Sequence, residues 1–400
     1  MILERNLKTV EVKTRPVVKV GFITWIKKNL FSSWLNGMIT LLLAAIIISM
    51  AIPAFRWIFV SGNWTVIEAN FKLVVVGQYP IDQLWRVWTC FLFVSGLLGV
   101  SYGRFNGKVS KLLFYSIIGL TTINLLLPFI TMQSRLWLIC SLSTTIFSYL
   151  ISRKYKSTTR IIWVGWFLVF PIGIFLLHGF GVLPVVGTNV WGGFLLTLLI
   201  SLVAIVVSFP IGVLLALGRA SQLPIIRWLC IVYIEVIRGV PLITILFMSS
   251  IMLPLFLPAG ISIDSVVRAM VAFTLFNAAY IAENVRGGLQ SIPKSQYEAS
   301  TALGLNTIQM TAFIILPQAL RVTVPSMVGQ SISIFKDTTL VAVIGMVDLL
   351  GIARAVIANP QFLGTQKEVY LFVAFVFWIF CFVMSRASKE IENNMNKSYR

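Results

Sequence analysis

SQYEASTALGLNTIQMTAFIILP, residues 295–317, is a polar island in an otherwise apolar chain, and the architecture can be read outward from it. Ser295 and Glu298 have the spacing of a capping box, in which hydroxyl and carboxylate each satisfy an orphan N–H at a helix start. Pro293 just before them discourages any helix from running through from upstream. Gly304 supplies a left-handed stop, with Leu305 behind it as the apolar contact of a Schellman end. A second helical stretch then runs to Pro317. The spacing predicts a helix–glycine–helix elbow resting on a membrane surface between spans.

The remainder of the chain supplies the membrane. Of its 400 residues 58% are hydrophobic and 11% charged, which excludes a soluble globular protein. Several apolar runs reach the roughly 20 residues that cross a bilayer. They predict about ten spans, over 37–60, 88–103, 112–132, 135–151, 161–179, 192–217, 228–257, 265–285, 328–350 and 369–385. The expected fold class is an all-α polytopic membrane protein.

The formal net charge of +19 reads as a topology signal. With the N-terminus in the cytoplasm, the inward segments carry Arg5, Lys8, Lys13, Arg15 and Lys19, then Lys27 and Lys28, and Arg104, Lys108 and Lys111. Further inward groups are Arg153, Lys154, Lys156 and Arg160, Arg219 and Arg227, Arg286, Lys294 and Arg321, and Arg386, Lys389, Lys397 and Arg400. The outward loops hold only Lys72, Arg86, Arg135, Arg354 and Lys367. This asymmetry follows the positive-inside rule, and an even number of spans returns both termini to the cytoplasm. No folded basic domain exists for nucleic acid to bind. The first 36 residues lack the short apolar core and cleavage site of a secretion signal. Within them Phe22, Ile23, Ile26, Leu30 and Trp34 recur at helical spacing beside Lys27 and Lys28, the pattern of an interfacial helix on the inner leaflet. Cys90, Cys140, Cys230 and Cys381 are scattered through predicted spans, which supports neither a disulfide framework nor a metal site.

Glu298, Ala299 and Ser300, then Gly304, then Ile314, Leu316 and Pro317 resemble in spacing the EAA loop of the permease subunits of bacterial ABC importers. Ser300 stands where that pattern has a second alanine. The likeness to the polar amino-acid branch of these permeases extends over 191–386, opening on WGGFLLTL at 191–198. It implies a C-terminal permease core of about five spans, with the elbow as the contact to an ATPase. Residues 29–41, Gly77 to Pro80 and Gln83 to Arg86 resemble general L-amino-acid permeases, specifically their long M-type subunit. The domain reading is a cytoplasmic segment at 1–36, a membrane extension at 37–190, the permease domain at 191–386 and a cytoplasmic tail at 387–400. No internal repeat relates the halves.

Ionisable residues within spans are costly and tend to face a cavity or a partner, which marks Arg56, Arg238, Arg268 and Lys336. Glu235 and Arg238 lie three apart on one helical face and can pair, before Gly239 and Pro241 interrupt the helix. Glu283 and Arg286 repeat that spacing downstream of Asn277, and Lys336, Asp337 and Thr338 interrupt the ninth span. All three strings resemble signatures of the permease family. They are candidates for the substrate path or its gating, since an arginine fork holds a carboxylate and a carboxylate recognises an ammonium. Structural ion pairing and helix packing are the alternative uses. His178, without carboxylate neighbours, reads as structural. GRFNGKVS at 103–110 is one residue short of a phosphate loop and has Val109 at the hydroxyl position. Neither a zincin motif nor a serine-hydrolase elbow followed by a plausible triad occurs.

The resemblance implies no catalytic residue, metal or cofactor in this chain, ATP being used by partner subunits. The implied partners are a second permease, two ABC ATPase subunits, an extracytoplasmic amino-acid-binding protein, the bilayer of the cell inner membrane and an amino-acid substrate. The alternative is an ion-gradient-driven secondary amino-acid transporter. It would be expected to carry coupling carboxylates at mid-membrane, and these are few.

Overall fold

The structure, a computed structural model, describes residues 21–105, 111–155, 158–258 and 260–397, almost all of them helical. Contacts divide the chain into two units, Met1–Asn63 and Trp64–Arg400. In the first, α1 (Phe22–Asn29) carries Lys27 and Lys28 in its last turn and exposes Ile23 and Trp25. The Ser33 hydroxyl accepts the Asn36 N–H at 3.2 Å and caps α2 (Trp34–Arg56), which continues through a π-turn at Trp57–Ser61. Apart from buried Gly37 and half-buried Thr40 and Ala44, the residues of α2 are exposed along its length, Arg56 included. The basic residues of the first twenty positions lie outside the described residues.

The second unit opens with α3 (Thr65–Val76), inside what hydropathy reads as an outward loop at 61–87. Twelve residues are too few to span a bilayer, so α3 leaves no span signal, yet Val66, Ile67, Val74 and Val76 are buried. Next come α4 (Leu84–Phe105), α5 (Lys111–Leu126), α6 (Met132–Lys154) and α7 (Thr158–His178). Glycines on α4 let α6 approach closely. A Cβ on Gly103 would lie 2.6 Å from the Tyr149 carbonyl, and the Ser152 hydroxyl donates to the Val100 carbonyl at 2.7 Å.

The core follows as α8 (Gly193–Arg219), α9 (Pro224–Gly239), α10 (Leu242–Phe247), α11 (Leu253–Phe256) and α12 (Ser265–Gln290). The helix α12 is the most buried, with Gly212 of α8 placed so that a Cβ would sit 2.9 Å from the Ala278 carbonyl. The run expected as one span at 228–257 bends by 104° between α9 and α10, where Gly239 and Pro241 end one helix and start another. Beyond α12 lie α13 (Lys294–Ala302), α14 (Thr307–Met310), α15 (Leu316–Asp337), α16 (Leu349–Ala358) and α17 (Gln366–Lys397). Pro317 does not end a helix. A π-turn at Thr311–Ile315 joins α14 to α15, and its wider turn accommodates the proline ring, so one helical run extends over Thr307–Ile344. The span expected at 328–350 therefore starts earlier.

Eight described helices are long and apolar enough to cross a membrane, or nine if the bent pair counts as one. The apolar segment expected at 112–132 forms only α5, which is shorter than that limit.

Residues 64–190 share one compact unit with the core. Gly77, at φ +67°, leaves no room for a Cβ, which would lie 2.5 Å from Gly192 Cα. The Gly193 N–H donates to the Val347 carbonyl at 2.9 Å, and Thr188 hydrogen-bonds Asp264, the N-cap of α12. The buried Tyr79 hydroxyl donates to the Leu177 carbonyl at 2.9 Å. The starts of α8 and α12 are thereby tied to the extension.

Candidate functional site

The elbow begins at Pro293, which occupies the N-cap of α13 without a side-chain bond. Ser295 falls inside the helix, so it forms no capping box with Glu298. The box sits one helix later, where the Gln309 N–H donates to Asn306 Oδ1 at 2.9 Å and the Asn306 N–H to Gln309 Oε1 at 3.2 Å. The Schellman end is as expected: Gly304 has φ +73°, its N–H donates to the Thr301 carbonyl at 2.9 Å, and the Leu305 N–H reaches the Ser300 carbonyl at 3.2 Å.

Two faces result. Toward the protein, Ser300 is buried, and Ile292, Ile315 and Ala319 pack with Leu289, Tyr297 and Ile314. Away from it, Glu298, Ala299, Gly304 and Pro317 are exposed, and Leu303, Ile308 and Phe313 are 76%, 79% and 75% exposed. Three large apolar side chains thus stand exposed around a polar turn. Leu289 packs on both the cluster of Ile292, Ile315 and Ala319 and that of Ala216, Ile234, Ile281, Ala282 and Val285, and Leu316 at the end of the elbow packs on the second.

Over that cluster sits a group of charges. Arg219, at the C-terminal end of α8 where a cation suits the helix dipole, contacts Glu235 of α9 at 2.9 Å and Glu283 of α12 at 3.5 Å. Glu283 also meets Arg238 of α9 at 3.5 Å and pairs with Arg286 on its own helix. One carboxylate thus faces three arginines from three helices. The expected Glu283–Arg286 pair forms, whereas Glu235 and Arg238 turn to other helices. Arg238 instead lies 5.7 Å over the Tyr280 ring, its Nε buried without an acceptor. Arg219, which the sequence marks only as a basic residue after a span, is the link between the two carboxylates. These side chains are 22–33% exposed, except Glu235 at 54%.

Residues 208–397 match the family described as the binding-protein-dependent transport system inner membrane component. The chain is 37% identical to the inner membrane amino-acid ABC transporter permease protein YhdY of Escherichia coli, over 94% of this chain and 93% of that one. It belongs to this family of inner-membrane permeases. Identity is also 37% to BztC, a glutamate/glutamine/aspartate/asparagine transport system permease protein of Rhodobacter capsulatus, over 96% of each chain. A solved amino acid ABC transporter with histidines aligns at 27% identity and a TM-score of 0.46, over 50% of this chain and 91% of that one. The permease is a multi-pass inner-membrane protein.

Other candidates lie apart from the charge group. Asn277 is buried between α12 and α8, where its Nδ2 donates to the Ser208 hydroxyl at 2.6 Å. Lys336 is exposed, Asp337 half-buried and Thr338 buried at the end of α15, where the helix tightens into a 3₁₀ run at Thr338–Ile344. Gly239 and Pro241 flank the 104° bend. Arg268 donates to the Ser250 carbonyl at 2.9 Å, within the π-turn Met248–Met252. His178 accepts the Phe180 N–H at 3.4 Å and holds that loop, a structural use. Most of the string resembling a phosphate loop, residues 106–110, lies outside the described residues.

Proposed function

We propose that this permease is the transmembrane subunit of an ATP-driven ABC importer that carries L-amino acids. It pairs with a second, non-identical permease, two ABC ATPase subunits and an extracytoplasmic amino-acid-binding protein. ATP is bound and hydrolysed by the ATPase subunits, and this chain supplies no catalytic group. Both termini lie in the cytoplasm, following the distribution of basic residues.

The observation that carries this reading is the continuity from elbow to charge group. Glu298, Ala299 and Gly304, with exposed Leu303, Ile308 and Phe313, form the face that seats in an ATPase groove. Behind it, Leu289 and Leu316 join the elbow to the cluster that carries Arg219, Glu235 and Glu283. A close-packed interior transmits displacement rather than absorbing it. When the ATPase pair closes, each elbow moves with its groove, and the tied ends of α8, α9 and α12 follow as one body. The arginine excess at that end, with Arg238 only partly engaged, suits an amino-acid carboxylate moving inward. The amino-acid assignment draws on the printed functions of YhdY and BztC.

Mild purification of the tagged permease from its native membrane, with mass identification of its companions, tests the assembly. An ATPase and a second permease in equal amounts support it. A chain arriving alone under conditions that hold a known ABC importer together refutes it.

A further inference from the structure

The helix α17 outruns the bilayer. Its apolar stretch, 369–385, is about 25 Å long at about 1.5 Å per residue, close to the roughly 30 Å of hydrocarbon. The helix then continues to Lys397. Phe375, Trp378, Phe382, Arg386 and Lys389 recur at steps of three and four, so they form one stripe, and all are exposed. The rings of Phe375 and Trp378 stack at 6.0 Å, those of Trp378 and Phe382 at 5.3 Å, and the Arg386 guanidinium lies 5.3 Å over Phe382. Where the ladder ends, Phe382, Arg386, Lys389, Glu390 and Asn393, all on α17, line a shallow, open groove of about 410 Å³. Glu390 Oε1 accepts the Lys111 N–H at 3.2 Å, so this carboxylate is engaged at the start of α5 while the two cations face the groove.

We propose that this groove holds the headgroup of an anionic glycerophospholipid, with Arg386 and Lys389 on the phosphate and the acyl chains along the aromatic ladder. The continuous step from apolar rings to cations at the end of the hydrocarbon matches an amphiphile, whereas free phosphate has no use for the ladder. Resting on Phe382, Arg386 is oriented before the lipid arrives. Arg153 and Lys154 also lie over rings, those of Tyr149 and Tyr155 at the end of α6, but Tyr149 meets Tyr102 and Phe114 of other helices rather than a ladder running along its own helix. The assignment to the inner leaflet rests on the orientation proposed above.

The assembled transporter in nanodiscs of phosphatidylcholine, with and without phosphatidylglycerol, tests this through native mass spectrometry of the retained lipid. Wild type is expected to keep phosphatidylglycerol selectively. Arg386→Gln with Lys389→Gln is expected to lower that retention about 30-fold, and Arg153→Gln with Lys154→Gln to leave it unchanged. Equal loss in both pairs, or equal retention of the two lipids by wild type, overturns the proposal. Displacement of the lipid by inorganic phosphate overturns it too, because the site would then be one for free phosphate. Both leaflets of a nanodisc have the same composition, so this result does not depend on orientation. Asn393→Cys, in a chain with its four cysteines replaced, tests orientation separately through labelling of sealed vesicles. Labelling from the outside alone overturns the inner-leaflet assignment.

Discussion

Glu283→Gln keeps the shape of the side chain and removes the charge on which Arg219, Arg238 and Arg286 converge. The three arginines are left with Glu235 alone, itself more than half exposed. Because these groups are partly solvated, each lost pair contributes about 0.5–1 kcal/mol rather than a buried-pair value. Only the Arg219 and Arg238 pairs cross between helices, so the joining of α8, α9 and α12 weakens by about 1.5 kcal/mol, or about tenfold in the ratio of joined to parted states. The assay is ATP hydrolysis and amino-acid uptake by the assembled transporter in proteoliposomes, with loaded binding protein. Hydrolysis is expected to persist while uptake per ATP falls about tenfold or more. Wild type at high ionic strength shifts the same way by a smaller factor, since screening weakens the same contacts. A variant that assembles normally and keeps uptake per ATP within about twofold of wild type refutes the reasoning, because the lost charge would then contribute nothing to the linkage.

Glu298→Arg reverses the charge on the exposed elbow face and is expected to abolish uptake without changing membrane insertion; normal uptake by a well-expressed variant rules out that contact. Gly77→Val meets both a positive φ and the Gly192 backbone, at a cost of about 2–4 kcal/mol, and should lower the yield of assembled transporter. Gly119→Ala, where a Cβ meets nothing within 4 Å, should leave that yield unchanged, and equal yields for both variants would contradict the close approach of Gly77 to Gly192. Burial pushes the Asp348 carboxyl above the usual carboxylate range, against the pull of the Gly351 and Leu350 N–H groups. The native state therefore gains a proton first as pH falls, and this group adds stability from its raised pKa down to the ordinary value near about 3.9. Asp348→Asn keeps a capping oxygen for α16 and is expected to lose that acid-side gain in Tm; an unchanged Tm–pH profile would exclude Asp348 as its source.

Span positions and the expected orientation are largely one-dimensional properties. A membrane helix satisfies its backbone within one segment, so composition over some twenty residues marks it, and loop charge sets its direction. The Gly304 stop is equally local, since few residues other than glycine adopt a left-handed backbone without strain. The capping box shows where local chemistry ceases to decide. Ser295 with Glu298 and Asn306 with Gln309 both have the right groups, and the way the chain leaves α12 at Pro293 puts Ser295 inside the helix and Asn306 at a true start. The helix α3 escapes hydropathy because its burial comes from neighbours, and Pro317 passes through a helix because a π-turn makes room for it. The charge group is wholly tertiary. Glu235 and Arg238 share a helical face, yet the approach of α8 and α12 offers each a partner from another helix. Sequence thus marked most of the helices that are apolar enough to cross the membrane, and where the elbow turns; helix packing alone decided that Arg219 joins the two carboxylates, because ion pairs select by distance in space and not along the chain.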